Sequence, residues 1–238
     1  MSPSAGPYDI IGDVHGCHDE LCELLSKLGY RIRGDIVTPP DGRLAIFLGD
    51  LVDRGPKVVE CTRLVMDMVE AGTAHCILGN HEWQMLTHMR GENDFPDWGL
   101  PETLEQLARA PESFTQRLRT FSEGLPITLS LDEGRLLVAH AGMPEDLQAL
   151  DAETNESARW FALNGCRPED GHHRARWAPS YRGETRVVYG HTPTDDPKWV
   201  NKTMCVDTGC VYGGELTALR YPELEVVSVA SSFNYGWG

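Results

Sequence analysis

The sequence has no Cys-x-x-Cys pair, no clustered block of Lys and Arg, and no apolar run long enough to cross a bilayer. Each absence excludes something. The seven cysteines (Cys17, Cys22, Cys61, Cys76, Cys166, Cys205 and Cys210) form an odd set without zinc-ribbon spacing. That argues against a disulfide framework and a structural zinc site, and it fits a reducing compartment. Positive charge is scarce: 21 Lys and Arg stand against 36 Asp and Glu, a net charge of -15, so extended contact with duplex nucleic acid is not expected. The opening residues MSPSAGPYD lack the basic segment and apolar stretch of a signal peptide, so the expected location is the cytoplasm, with no membrane partner. What the chain does have is 238 residues, 41% of them hydrophobic, enough for one large core. A single domain over 1–238 is the expectation, with insertions at about 83–125 and 151–184.

Tyr8 to Ile11 is an apolar run too short for a helix, and it ends in Gly12-Asp13, which reads as a buried strand. From Asp19 to Leu28, leucines 21, 24, 25 and 28 fall at helical spacing before Gly29. The unit recurs: Leu44 to Leu48 ends in Gly49-Asp50, and Val58, Cys61, Leu64, Val65, Met68 and Val69 mark a helix that stops at Gly72. Ala74 to Leu78 is a third strand. This alternation predicts a largely parallel sheet with covered faces. In 83–125, Leu104, Leu107, Phe114, Leu118 and Phe121 predict one or two helices over the sheet or a cap. Six strand-like segments follow, at Ile127–Leu131, Leu136–His140, Val187–His191, Met204–Asp207, Leu216–Arg220 and Val226–Val229, and their short connections predict antiparallel pairing. Residues 151–184, rich in charge, Gly, Pro and Trp, read as a surface excursion.

Five of the predicted strands end alike, in a small residue and then a metal-capable side chain: IIGDVHG (Asp13, His15), IFLGDLVDRG (Asp50, Asp53, Arg54), CILGNHE (Asn80, His81), LLVAHAG (His140) and VVYGHTP (His191). One Gly-Asp after a strand is usually a turn, and one strand-end His is usually a hydrogen-bonded core or surface residue. Five together are hard to read as coincident turns, because strand carboxyl ends form the ligand crevice of open α/β sheets. Imidazole, carboxylate and amide donors suit Mn²⁺, Fe²⁺, Zn²⁺, Co²⁺ or Ni²⁺ better than Ca²⁺ or a lone Mg²⁺. There are more donors than one ion can use, so one carboxylate is expected to bridge two.

The set GDVHG, GDLVDRG, GNHE, HAG and GHT resembles the calcineurin-like metallophosphoesterases, in the branch of protein Ser/Thr phosphatases and diadenosine tetraphosphatases. Over about 8–90 and 126–230 the chain is also similar to small bacterial phosphatases of the bis(5'-nucleosyl)-tetraphosphatase type and to the phosphatase domain of bacterial polynucleotide kinase-phosphatase. The resemblance implies an α/β fold: a mixed β-sandwich flanked by helices, with a helical, cap-like middle segment. It implies two divalent transition-metal ions, Mn²⁺ first among them. Asp13 and His15 would hold one, Asp50 would bridge, and Asn80, His140 and His191 would hold the other. His81 would be the general acid, oriented by Asp53, and Arg54 would hold phosphate oxygens. Arg182, in SYRGETRVVYGHT, and Asp207, in VDTGCVYGG, match further substrate-binding positions of relatives.

The implied reaction is hydrolysis of phosphate esters, in phosphoproteins or small organic phosphates, by a metal-bridging hydroxide. Hydrolysis of diadenosine tetraphosphate by the same core is the alternative, and a catalytically silent scaffold is an alternative of another class. GNHE matches protein phosphatases, whereas VDTGCVYGG matches the nucleotide-handling subgroup. Cys17 could be a reactive thiol at a helix start, though a buried or capping cysteine is the commoner case. His172 and His173, with Arg174 and Arg176, read equally well as an entrance patch or a solvated loop. Trp83, Trp160 and Trp177 read as core or lid packing before base stacking.

Overall fold

The computed structural model describes residues 6–34, 36–40, 42–92, 99–170 and 176–232. His172, His173 and Arg174 lie outside the described residues. In chain order the elements are β1 (Tyr8–Ile11), α1 (His18–Lys27), β2 (Arg31–Arg33), β3 (Ile36–Thr38), β4 (Leu44–Phe47), α2 (Val58–Glu70), β5 (Ala74–Cys76), α3 (Asn80–Met89), α4 (Leu100–Arg109), α5 (Glu112–Glu123), β6 (Thr128–Leu131), β7 (Leu136–Ala139), α6 (Glu156–Asn164), β8 (Arg186–Tyr189), β9 (Thr203–Cys205), β10 (Asp207–Thr208), β11 (Glu215–Tyr221) and β12 (Glu225–Ala230).

Two sheets form a sandwich. In the first, β5, β4 and β1 run parallel, β11 joins antiparallel to β1, and β10 and β12 pair with β11. The second has the order β6-β7-β8-β9. Side chains alternate across a strand. Tyr8, Ile10, Ile46 and Leu48 therefore meet Val138, Val188 and Met204 of the second sheet. Ile11, Phe47 and Cys76 instead belong to a core shared with Leu21 and Leu25 of α1 and Val65 of α2. Burial of each such aliphatic side chain is worth about 1.5–3 kcal/mol, which holds the sheet between its two covers. Among the described residues, no helix is long and apolar enough to cross a membrane.

Three expectations needed revision. The second half is not all antiparallel: β6 and β7 are, but β7–β8 and β8–β9 pair in parallel. The reason is the long connection from β7 to β8, which passes through α6 and has the length a parallel crossover requires. That connection is not merely a surface excursion, since Ala158, Phe161, Trp177 and Tyr181 are buried in the main core. The middle segment is helical as expected but carries three helices, not one or two: α4 and α5 lie against α2, and α3 packs against α4 and α5. Their own apolar cluster joins Met85, Leu100, Leu107, Phe114 and Leu118 to Val52, Val58 and Met66.

Candidate metal centre

After β1, β4 and β8 the chain turns sharply, and it does so at side-chain-bearing residues. His15, Asp50, Asp53, Arg54 and His191 all have positive φ, between 42° and 72°. Each such conformation costs a non-glycine residue on the order of 1 kcal/mol. Backbone bonds hold them there: the amides of Val14 and His15 donate to the Asp50 carbonyl (3.1 and 2.8 Å), and Gly16 donates to Leu51 (3.0 Å). Glu82 adds a clamp from the first turn of α3. Its carboxylate accepts from the amides of Asp50 (2.8 Å), Leu51 (2.8 Å), Val52 (3.2 Å) and Gly79 (3.2 Å). Burial and the nearby Asp50 push Glu82 up to about 7, against the pull of those amides. Two glycines leave room for the carboxylates. A Cβ on Gly79 would sit 2.2 Å from Asp50 Oδ1, and one on Gly190 would sit 2.1 Å from Asp13 Oδ1.

The structure brings Asp13, His15, Asp50, Asn80, His140 and His191 together. Asp50 is shared by two potential cation clusters, one with His15 and His81 and one with His140 and His191. Its Oδ2 lies 3.5 Å from His15 Nε2, 3.3 Å from His140 Nε2 and 3.9 Å from His81 Nε2. Both His15 and His140 use Nδ1 to donate to carbonyls, of Val52 (2.7 Å) and Leu48 (2.8 Å), so in the neutral rings Nε2 is a lone pair aimed inward. Asn80 Oδ1 stands 2.8 Å from His140 Nε2 and 2.9 Å from His191 Nδ1. Asp13 Oδ2 accepts from the His191 amide (3.0 Å), whereas Asp13 Oδ1 is buried with no hydrogen-bond partner. Converging acceptors and an orphaned carboxylate oxygen are what a cation would satisfy, so these donors fit divalent metal ions.

The electrostatics agree. Burial, then the Asp207 carboxylate, raises Asp13 well above the ordinary carboxylate range. Burial opposes ionisation of Asp50 as well, yet His140, His81 and His15 hold it well below that range. Burial, followed by His81 and Arg54, holds His15 well below the usual histidine value. His140 goes the other way: burial disfavours its charge, but Asp50 and Asp13 push it up to about 10. In the absence of a cation, a proton on His140 takes the cation's place.

His81 is arranged differently from the others. Its Nδ1 donates to Asp53 Oδ2 at 2.6 Å, and Asp53 in turn is held by Thr103 of α4, whose hydroxyl donates to Oδ1 (2.5 Å) and accepts from the Asp53 amide (2.8 Å). Arg54 reaches in, with Nη1 2.5 Å from His15 Nε2 and its guanidinium 5.5 Å from the Tyr212 ring centroid. His81 and Arg54 line a cavity of about 490 Å³ whose walls also include Asp13, His15, Asp50 and Asn80. Tyr212, Val211 and Pro193 line the same cavity.

Asp207 is buried in the wall beside Asp13, and its Oδ1 accepts from the Gly209 amide (3.0 Å). Arg182 is not brought to the cavity. It is exposed, and its Nη1 donates to the carbonyls of Pro179 (3.0 Å) and Tyr181 (2.7 Å), because the turn before β8 folds back on itself. Trp83, Trp160 and Trp177 are also absent from the lining; Trp177 packs against Phe161, Tyr181 and Tyr189. Sequence reading passed over Glu82, Thr103 and Tyr212. Glu82 and Tyr212 stood inside the quoted runs GNHE and VYGG, but Thr103, on a helix far along the chain, gave no signal. Cys17 is buried at the N-cap position of α1 without a side-chain capping bond, and its hydrogen bond with the Cys210 thiol, then burial, raise it far above the usual thiol range.

The family model for calcineurin-like phosphoesterases matches residues 6–229. The asymmetrical bis(5'-nucleosyl)-tetraphosphatase PrpE of Anoxybacillus flavithermus is 40% identical over 237 residues, covering 96% of each chain. The protein of the same name from Halalkalibacterium halodurans is 42% identical over 233 residues, covering 94% of each. A crystal structure provisionally described as a diadenosine tetraphosphatase superposes with a TM-score of 0.69 at 25% identity, covering 100% of this chain and 96% of its own.

Proposed function

We propose a function from one premise: this chain belongs to the calcineurin-like phosphoesterase family, and is a hydrolase of phosphate esters or anhydrides. Within that activity its substrate is a bis(5'-nucleosyl) tetraphosphate, cut asymmetrically. The observation that carries this reading is the two-part cavity, in which acidic and imidazole groups adjoin the aromatic and apolar side chains of Tyr212, Val211 and Pro193. A nucleoside polyphosphate has the matching two parts, a charged chain and a flat base. The names of relatives near 40% identity support it.

Two divalent transition ions, Mn²⁺ foremost, would be held by Asp13, His15, Asn80, His140 and His191, with Asp50 shared between them. When bound, such ions neutralise phosphate oxygens and acidify water. The remaining work falls to side chains. Asp53 accepts from His81 Nδ1 and fixes the ring, and the opposite nitrogen, Nε2, is the one that would protonate the leaving oxygen. Thr103 fixes Asp53 in turn. Arg54, steadied against Tyr212, offers its guanidinium to a phosphate oxygen. Asp207, a carboxylate in the cavity wall, keeps the anionic substrate to the metal side. A silent scaffold would have no use for the His81–Asp53–Thr103 chain.

A second reading, hydrolysis of phosphomonoesters in proteins or small molecules, is favoured by the Asn80-His81-Glu82 run shared with protein phosphatases. One panel separates the two. Mn²⁺-loaded protein is given diadenosine tetraphosphate, p-nitrophenyl phosphate, a phosphopeptide and a 3'-phosphorylated oligonucleotide. Conversion of the first to ATP and AMP, with the highest kcat/KM of the panel, is expected. Two molecules of ADP, or a preference for the phosphopeptide, would overturn the assignment.

A further inference from the structure

We propose that Cys17, Glu20 and Cys210 form a second cation site, thiol-based and specific for a thiophilic divalent ion, apart from the nitrogen and oxygen donors of the catalytic cavity. The two sulfurs and a Glu20 carboxylate oxygen lie within 4.8 Å of one another. All three residues are buried, at 1%, 2% and 1% exposure. They come from two parts of the fold: Cys17 at the N-cap position and Glu20 in the first turn of α1, and Cys210 in the loop between β10 and β11. Tetrahedral zinc bonded to sulfur at about 2.3 Å sets two thiolates about 3.8 Å apart, and a carboxylate oxygen slightly closer. The observed spread accommodates that tripod.

Packing alone would account for two buried thiols, since cysteine behaves as a small hydrophobe. It does not account for a buried carboxylate beside them. Among the described residues, Glu20 is engaged by the Ser232 amide, which donates to Oε1 at 3.0 Å. The metal-binding forms of all three groups are anionic, and a divalent cation is the partner that offsets their mutual repulsion. Entry is provided for, because Cys210 also lines the catalytic cavity. Selectivity follows from softness: thiolates favour Zn²⁺ or Cd²⁺, whereas the imidazole and carboxylate donors next door accept Mn²⁺. An ion here would tie the segment bearing Asp13 and His15 to the one bearing Asp207, and its binding would release the proton that the Cys17 thiol now donates to the His15 carbonyl at 3.8 Å.

Cadmium is the probe. Cd²⁺ is titrated into Mn²⁺-loaded protein, following the ultraviolet sulfur-to-cadmium charge-transfer absorption and the cadmium retained after gel filtration. The wild type is expected to retain Cd²⁺ with that absorption. The Cys17→Ser, Cys210→Ser double variant is expected to lose the absorption and to bind on the order of a hundredfold more weakly, and Glu20→Gln about tenfold more weakly. Cys22→Ser and Cys205→Ser should keep it. Absence of the absorption in the wild type, its persistence in the folded double variant, or an unchanged affinity in Glu20→Gln would overturn the site. Should the double variant not fold, cadmium NMR of the wild type decides: a shift typical of two sulfur ligands supports the proposal, and one typical of nitrogen and oxygen ligands alone refutes it.

Discussion

Within β1, Asp9 is fully buried and both of its oxygens are matched. Arg43 Nε reaches them at 3.1 Å, Tyr30 donates to Oδ2 at 3.0 Å, and Arg220 Nε donates to Oδ1 at 3.2 Å. Just past the other end of the strand, Asp13 is nearly as buried, but one oxygen has no partner and its nearest charged neighbours include two further carboxylates. The same side chain is thus a finished ion cluster at one end and half of an unfinished one at the other. A structural carboxylate brings its own cations; a metal-binding carboxylate leaves the charge to be supplied. The strand length between them lets one element anchor the sheet and present chemistry at its tip.

The largest effect is expected where the unfinished end is most shared. Asp50→Asn should lower turnover by about a thousandfold or more and reduce the tightly held metal, because among the described residues this carboxylate is the one shared by both clusters. If elemental analysis and kinetics show instead that Asp13→Asn is disabling and Asp50→Asn is mild, the bridge is misassigned. Next comes the contrast itself. Asp9→Asn leaves Arg43 buried beside a neutral amide and should cost about 3 kcal/mol in urea unfolding, with metal content unaltered. In metal-free protein Asp13→Asn should cost no stability, since it relieves repulsion with Asp207 while the amide oxygen can still accept from His191. Equal losses at the two positions would break the comparison.

Much of the unfinished end was legible from the chain. Six donors at strand ends, each beside a small residue, converge as their pattern implied, because parallel strands deliver their carboxyl ends to one edge. The finished end was not: Asp9 sits in the same apolar run as Asp13, but Arg43 and Arg220 are remote in sequence and carry no motif. Remoteness also hid Thr103. Glu82 was visible as a letter of GNHE, but its purpose emerges only when the Asp50–Val52 turn folds over it. Arg182 failed for the converse reason, a short local match that the turn around Pro179 overrides. The parallel pairing of β7 with β8 is not legible in the local connections, because the crossover through α6 sets it.

His81 tests whether every imidazole at this end is a ligand. His81→Ala should leave metal content unchanged and slow esters with alkoxide leaving groups by about a hundredfold, with a much smaller effect on p-nitrophenyl phosphate. Loss of metal would make His81 a ligand, a geometry its place beside His15 and Asp50 permits.

Protonation offers a gentler test. In the metal-free protein His140, raised to about 10 from an ordinary 6.5, contributes stability that is fully present below about 6.5 and is lost as pH rises through about 10. Between those values it holds a proton that metal must displace, so apparent metal affinity should rise about tenfold per pH unit. Equilibrium dialysis with Mn²⁺ at pH 7, 8 and 9 checks the slope. A flat profile would mean that His140 is not a ligand or is already neutral.

The smallest change is expected at the rim. Tyr212 contributes nothing to the donor set; its ring lies 5.5 Å from the Arg54 guanidinium, a contact worth about 0.5–1 kcal/mol. Tyr212→Leu keeps bulk and removes the π face, so kcat/KM for p-nitrophenyl phosphate should fall only about threefold, through a less well held Arg54. A dinucleoside tetraphosphate should lose about fivefold more, in KM, if a base stacks on the same ring. Equal losses for both substrates would show that the ring serves Arg54 alone, leaving base recognition to other walls of the cavity. Metal affinity should not move in either case, because Tyr212 lines the cavity without belonging to either cluster around Asp50.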